Sequence, residues 1–201
     1  QSGESLDTLM ALRHAREKGQ HIISLINVDE STIARESDVV LKTLAGPEIS
    51  VASTKAYTTQ LAVLLCLSVD WAQKRNFLDK KKAFEIMDEL SRLPTALAEV
   101  LADKERWNAC AHELAGARDV IYLGRGLNFP TALEGALKLK ELSYIHAEGY
   151  AAGEMKHGPI ALLDEGMPVV MVAPYDEWFD KTASNLKEAL ARGGRVVLLS
   201  D

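Results

Sequence analysis

The run Asp119-Val120-Ile121-Tyr122-Leu123 leads through Gly124-Arg125-Gly126 into a long helical pattern from Pro130 to Ala147. Apart from its first residue the run is apolar without alternation, the pattern of a strand buried on both faces. Pro130 suits the first turn of a helix, where its missing N–H has no partner to lose. A buried strand, a short turn and a helix make up most of a βαβ unit, and the same alternation continues in both directions. Strands are expected over 21–28, 39–44, 119–123, 167–174 and 195–200. Helices are expected over 5–18, 54–75, 80–90, 94–101, 104–115, 130–147 and 181–192, with Pro94 opening the fourth of them. Gly19 and Gly193 stand just past two helices, the usual C-terminal stop. The class is therefore α/β, with parallel sheets flanked by helices.

No strand is expected between 78 and 117. That gap divides the chain into a first α/β unit, 1–77, a helical connector, 78–117, and a second α/β unit, 118–201. The first unit starts on a loop and the second stops after a strand, so the chain is expected to be a piece of a longer protein.

Composition narrows the partners. The 201 residues carry a net charge of −6, with 47% hydrophobic and 26% charged residues. A polyanion such as nucleic acid calls for a basic stripe, which this balance does not supply. A single phosphate needs only a local pocket. The longest apolar run, Leu61 to Leu67, is far short of the ~20 residues that span a bilayer. Cys66 and Cys110 sit outside any metal-binding or redox spacing and read as two reduced, buried thiols. A cytoplasmic location, with no membrane partner, is expected.

Three stretches carry candidate chemistry. Gln1-Ser2-Gly3-Glu4-Ser5 runs directly into a helix. The free N–H groups of a first turn attract an anion, and the two hydroxyls add neutral donors. Gly3 would let the backbone approach a phosphate closely. The same loop also reads as a plain N-cap. Residues 46–55 form a second loop, after a strand and before a long helix, where ligands of open α/β sheets collect.

The third stretch is the helix after Pro130. Glu134, Lys138 and Glu141 are spaced i, i+4, i+7, which puts them on one face. Leu133, Ala136 and Leu137 lie to one side, as in a helix packed closely on its domain. Two carboxylates around one ammonium can hold different proton states, and such a carboxylate can move a proton between adjacent carbons. A solvated face of ion pairs is the alternative. The glycine- and alanine-rich loop that follows carries Lys156-His157-Gly158, where an imidazole flanked by glycine is expected to be accessible. His146 and His157 lack a partner at zinc spacing, so no metal is expected.

Together these stretches resemble one family. Residues 1–5 (Gln-Ser-Gly-Glu-Ser), 51–60 (Val-Ala-Ser-Thr-Lys-Ala-Tyr-Thr-Thr-Gln), 123–126 (Leu-Gly-Arg-Gly), 132–141 (Ala-Leu-Glu-Gly-Ala-Leu-Lys-Leu-Lys-Glu), 144–148 (Tyr-Ile-His-Ala-Glu) and 152–159 (Ala-Gly-Glu-Met-Lys-His-Gly-Pro) look like glucosamine-6-phosphate synthase. The resemblance implies two sugar-isomerase (SIS) domains, each a nested α/β fold. It implies that Gln1, Ser2 and Ser5 hold a sugar phosphate, with Ser5 where the family more often has threonine. The backbone of Val51 and the side chain of Ser53 would line the sugar. Glu141 would be the base acting between C1 and C2, and Lys138 and Glu134 its electrostatic neighbours. His157 would open the sugar ring in the neighbouring subunit's site, so a homodimer is implied. The family converts fructose 6-phosphate and glutamine to glucosamine 6-phosphate and glutamate without a redox cofactor or metal. Its glutaminase domain, an opening strand and a C-terminal tail bearing an imine-forming lysine have no counterpart in these residues. This stretch alone is expected to be inactive. A related sugar-phosphate isomerase or deaminating enzyme, and a non-catalytic sugar-phosphate sensor, are the alternatives; the sensor has no use for Glu141 or the Lys156-His157 loop.

Overall fold

The apolar runs fold as short parallel strands and the periodic stretches as helices around them. The computed structural model describes all 201 residues. In chain order the elements are α1 (Leu6–Glu17), β1 (Ile23–Ile26), α2 (Thr32–Arg35), β2 (Val39–Lys42), α3 (Lys55–Lys74), α4 (Lys80–Ala102), α5 (Lys104–Leu114), β3 (Asp119–Gly124), α6 (Asn128–Ser143), β4 (His146–Ala151), β5 (Pro168–Val172), α7 (Phe179–Ala191) and β6 (Arg195–Leu199). Two 3-10 turns, Ala152–His157 and Pro159–Leu162, lie between β4 and β5. The chain forms two compact units, Gln1–Val100 and Leu101–Asp201. The residues expected to connect them fall on α4 and α5.

In the first unit β1 and β2 pair in parallel, Ile23 opposite Val39. Leu9 and Leu12 of α1, Ile26 of β1 and Ile33 and Ala34 of α2 make its small core. α2 is a single turn that the sequence pattern does not announce. Ser31 caps it, accepting from the Ala34 N–H at 3.4 Å. Gly3 packs onto this cap: its φ is +69°, and a Cβ there would fall 2.1 Å from Ser31 Oγ. The glycine that sequence reading assigned to close phosphate approach is thus required by Ser31.

The second unit is a four-stranded parallel sheet in the order β4-β3-β5-β6. Ile121 and Leu123 of β3 face one side, against Ala152, Met155, Leu163 and Ala189. Val120 and Tyr122 face the other, against Ala132 and Ala136 of α6. Helices and turns therefore cover both faces, as parallel sheets require.

Three expectations are corrected. The helix at 130–147 ends at Ser143, where Tyr144 takes a left-handed conformation with φ 61°, and His146–Ala151 is a strand. β4 lies at the sheet's edge, paired only with β3, and its Ala147 and Gly149 are small because α6 lies directly on it. A Cβ on Gly149 would sit 2.9 Å from Leu133 Cα. The helices expected at 80–90 and 94–101 are one helix, α4, which runs through Pro94 with one backbone hydrogen bond fewer. Cys66 and Cys110 are free thiols but only half-buried.

The tight seating of α6 on β4 is testable. Gly149→Ala in the intact protein is expected to lower stability by about 1–3 kcal/mol, the usual cost of overpacking a close contact. An unchanged thermal midpoint would mean that α6 does not rest on β4 at this distance.

Candidate functional site

Small residues at 132, 135 and 136 turn one side of α6 to the sheet. At 100° per residue, positions 134, 138 and 141 then fall on the side turned away from it. Lys138 Nζ lies 2.6 Å from Glu141 Oε2 and 3.4 Å from Glu134 Oε1. The three side chains are only 21–34% exposed. Glu141 Oε2 is buried and faces the Lys138 ammonium as a close ion pair. Partial burial pulls the Lys138 ammonium pKa down, but the two carboxylates outweigh it and hold it above the ordinary lysine value. Lys138 therefore stays charged at neutral pH, paired with the buried carboxylate oxygen. Of the neighbours expected on the packed side, Ala136 is buried, whereas Leu133 and Leu137 are 44% and 40% exposed.

His157 ends the first 3-10 turn and is exposed. That turn packs through Ala152 and Met155 on the sheet face opposite α6. Within the second unit the sheet stands between Glu141 and the turn that carries His157. Sequence order alone, which places them 16 residues apart, gave no sign of this separation, because it depends on β4.

In the first unit Gln1 and Ser5 line a cavity of about 370 Å³ beside β1, together with Thr8 and Gln60. Ser5 occupies the N-cap position of α1, yet its hydroxyl makes no capping hydrogen bond. The Ser5 hydroxyl therefore lies beside the first turn without a capping bond to it. Gln1 Oε1 is buried without a partner. Ser2 lies outside the cavity lining and accepts from the Glu4 N–H at 3.2 Å. Glu4 reaches across to the Thr32 N–H at 2.7 Å and so braces the loop against α2.

Val51 and Ser53 lie on the loop before α3 and do not line that cavity. Val51 is 92% exposed and Ser53 half-buried. A residue that sequence reasoning missed organises this loop. The Glu48 carboxylate accepts from the Ala56 N–H at 3.1 Å, the Thr54 N–H at 3.0 Å and the Thr54 hydroxyl at 2.9 Å. It thus caps α3 in place of Thr54 and closes the loop that carries Val51 and Ser53. The available signal was an acid six and eight residues before the two orphan N–H groups, a spacing no local capping rule covers. No group of three histidine, cysteine, aspartate or glutamate side chains converges as a metal site. No helix is long and apolar enough to cross a membrane.

Parallel sheets flanked by helices in both units define the class as α/β. The SIS domain profile matches residues 1–69 and 113–201, and the chain belongs to the SIS domain family. Among particular proteins, it is 58% identical over 201 residues to a glutamine–fructose-6-phosphate aminotransferase (isomerizing) of Bradyrhizobium diazoefficiens. It is 55% identical over the same length to the protein of that name from Bartonella quintana. All of this chain is covered in both matches, but only 33% of each relative, so the chain spans a third of their length. The structure superposes with a TM-score of 0.97 on the C-terminal domain of glucosamine-fructose-6-phosphate aminotransferase from Francisella tularensis. That match is 44% identical and covers 100% of this chain and 57% of the other.

Glu48 gives the loop a defined pH dependence. The Ala56 and Thr54 N–H groups hold its carboxyl below the ordinary glutamate value of 4.5. A depressed acid contributes its stabilisation above the unfolded value and loses it as pH falls through the folded one. Amide exchange at Thr54 and Ala56 in the intact protein should be slow and steady above pH 4.5, after correction for intrinsic rates. It should accelerate only below that pH. Glu48→Gln should speed exchange at neutral pH and abolish the acid transition. Identical exchange in variant and wild type would remove Glu48 as the clamp.

Proposed function

We propose that this chain is the sugar-isomerising part of a glutamine–fructose-6-phosphate aminotransferase (isomerizing). In the proposed assembly a glutaminase domain of the same polypeptide supplies ammonia, and the protein works in the cytoplasm as a homodimer. The observation that carries the reading is the Glu141 carboxylate on α6, partly buried and held against a lysine that stays charged.

The chemistry follows from that placement. Ammonia adds to C2 of open-chain fructose 6-phosphate and water leaves, giving an imine. Glu141 takes a proton from C1 and returns one to C2, the imine nitrogen gains a proton as the C1 hydroxyl loses one to become the aldehyde, and ring closure gives glucosamine 6-phosphate. Oxidation at C1 is matched by reduction at C2, so the step needs no outside oxidant. Lys138 steadies the carboxylate in its ionised form, and Glu134 shares the lysine's charge. Ser5 and the first-turn N–H groups of α1 offer neutral donors for the sugar phosphate, with Gln1 and Ser2 on the same loop. The Val51 backbone and Ser53, on the loop clamped by Glu48, would meet the sugar. His157 is assigned to ring opening in the partner's site; the sheet standing between it and Glu141 in one chain supports that assignment.

Glu141→Gln keeps size and polarity but cannot ionise. In the intact protein it should retain sugar-phosphate binding and glutaminase activity and lose isomerisation by roughly 10²–10⁴, the range for one acid–base group. A variant that isomerises at near the wild-type rate would reduce Glu141 to half of an ion pair. The dimer makes a second demand. Inactive Glu141→Gln and His157→Ala proteins, once their subunits exchange, should regain part of the activity, because each heterodimer holds one complete pair. No recovery after proven exchange would remove His157 from the partner's site.

A further inference from the structure

The second unit holds another polar cavity, of about 230 Å³, at the carboxyl edge of its sheet. One wall is α7, where Lys181, Ser184, Asn185 and Glu188 recur at i, i+3, i+4 and i+7 and so share a face. Lys156 and Gly153 of the first 3-10 turn form the opposite wall, and Arg125, from the loop after β3, completes it. The turn and α7 pack on the sheet face away from α6. The cavity is therefore distinct from the Glu134–Lys138–Glu141 cluster.

Its charges do not balance. Lys156 Nζ meets Glu188 Oε1 at 2.7 Å, and this contact, ahead of the Asn185 and Ser184 hydrogen bonds, keeps Glu188 ionised. Those two charges cancel. Arg125 and Lys181 have no carboxylate partner. Arg125 donates to Asn185 Oδ1 at 3.4 Å and lies 5.7 Å from the centre of the Trp178 ring. Lys181 Nζ lies 5.0 Å from the centre of the same ring. Two cations are thus gathered on one indole, in the first turn of α7 and beside it, where the helix dipole also favours negative charge. Asn185, 7% exposed, fixes Arg125 from below and also donates to Glu188 at 3.3 Å. Gly153 leaves the guanidinium its space, since a Cβ there would come within 3.2 Å of Arg125 Nη1.

We propose that this cavity binds the phosphate of a small phosphate monoester, held between Arg125 and Lys181. A dianionic phosphate matches the two positive charges that have no carboxylate partner. The planar guanidinium suits two phosphate oxygens at once, and the lysine supplies a point charge. Ser184 adds a hydroxyl on the same wall. The volume suits a small metabolite. This site holds phosphate by charge, whereas the loop at Gln1–Ser5 offers neutral donors, so the two are separable by substitution. The proposal does not depend on the role given to α6.

The test uses the intact protein and inorganic phosphate, with stoichiometry from equilibrium dialysis and local response from phosphorus NMR. Wild type should bind phosphate at a site that survives Ser5→Ala. The double variant R125Q/K181Q should weaken that site at least tenfold, and Lys181→Gln alone, an exposed change, should weaken it several-fold. Absence of any phosphate site surviving Ser5→Ala would overturn the proposal. So would an affinity unchanged in both Lys181→Gln and the double variant.

Discussion

The charge contact between Lys138 and Glu141 depends on how closely α6 lies on the sheet. That helix can carry a partly buried Glu–Lys–Glu cluster on its outer side because its inner side is nearly flat. Ala132 and Ala136 are buried against Val120, Tyr122 and Ala147. Gly135 leaves room for the Tyr122 ring, and Gly149 of β4 leaves room for the α6 backbone at Leu133. A larger residue at any of these positions would tilt the helix and move three charged side chains together. The small-residue seam and the charged face are one device seen from two sides.

The first unit solves a related problem differently. Its helix starts are not capped by the residues that stand at their N-cap positions. Ser5 and Thr54 both occupy such positions, neither side chain caps its helix, and the Thr54 hydroxyl donates to Glu48 instead. Carboxylates from a distance do the structural work instead. Glu4 holds the first loop to α2, and Glu48 satisfies the start of α3. Each acid sits where a helix start attracts negative charge, and both carboxyls titrate below the ordinary glutamate value because backbone N–H groups hold them ionised.

Much of this was legible in the sequence. β3 and β5 announced themselves as unbroken apolar runs because both faces of their sheet are covered. β6 read the same way although it is an edge strand with Leu198 44% exposed, and the cluster on α6 followed from helical spacing alone. β4 was hidden because its inward positions are alanine and glycine, chosen to admit α6 rather than to be hydrophobic. Its Glu148 and Tyr150, which hydrogen-bond to each other on the edge strand, added polar character to the same stretch. With β4 unseen, the placement of His157 across the sheet from α6 was unseen too. Pro94 misled for a different reason: a long helix tolerated one missing hydrogen bond that a local rule treats as a stop. Glu48 escaped because its partners lie beyond the reach of any capping pattern, and the Arg125–Lys181 pair because it joins residues 56 apart in sequence.

The central claim is that the buried Glu141 oxygen is the group that meets the reacting carbons of the sugar. A crystal structure of the intact protein with fructose 6-phosphate bound tests it most directly. The account predicts C1 or C2 of the sugar about 3–3.5 Å from Glu141, the separation of groups poised to react. A sugar whose C1 and C2 lie closer to another carboxylate, with Glu141 still touching only Lys138, would contradict it.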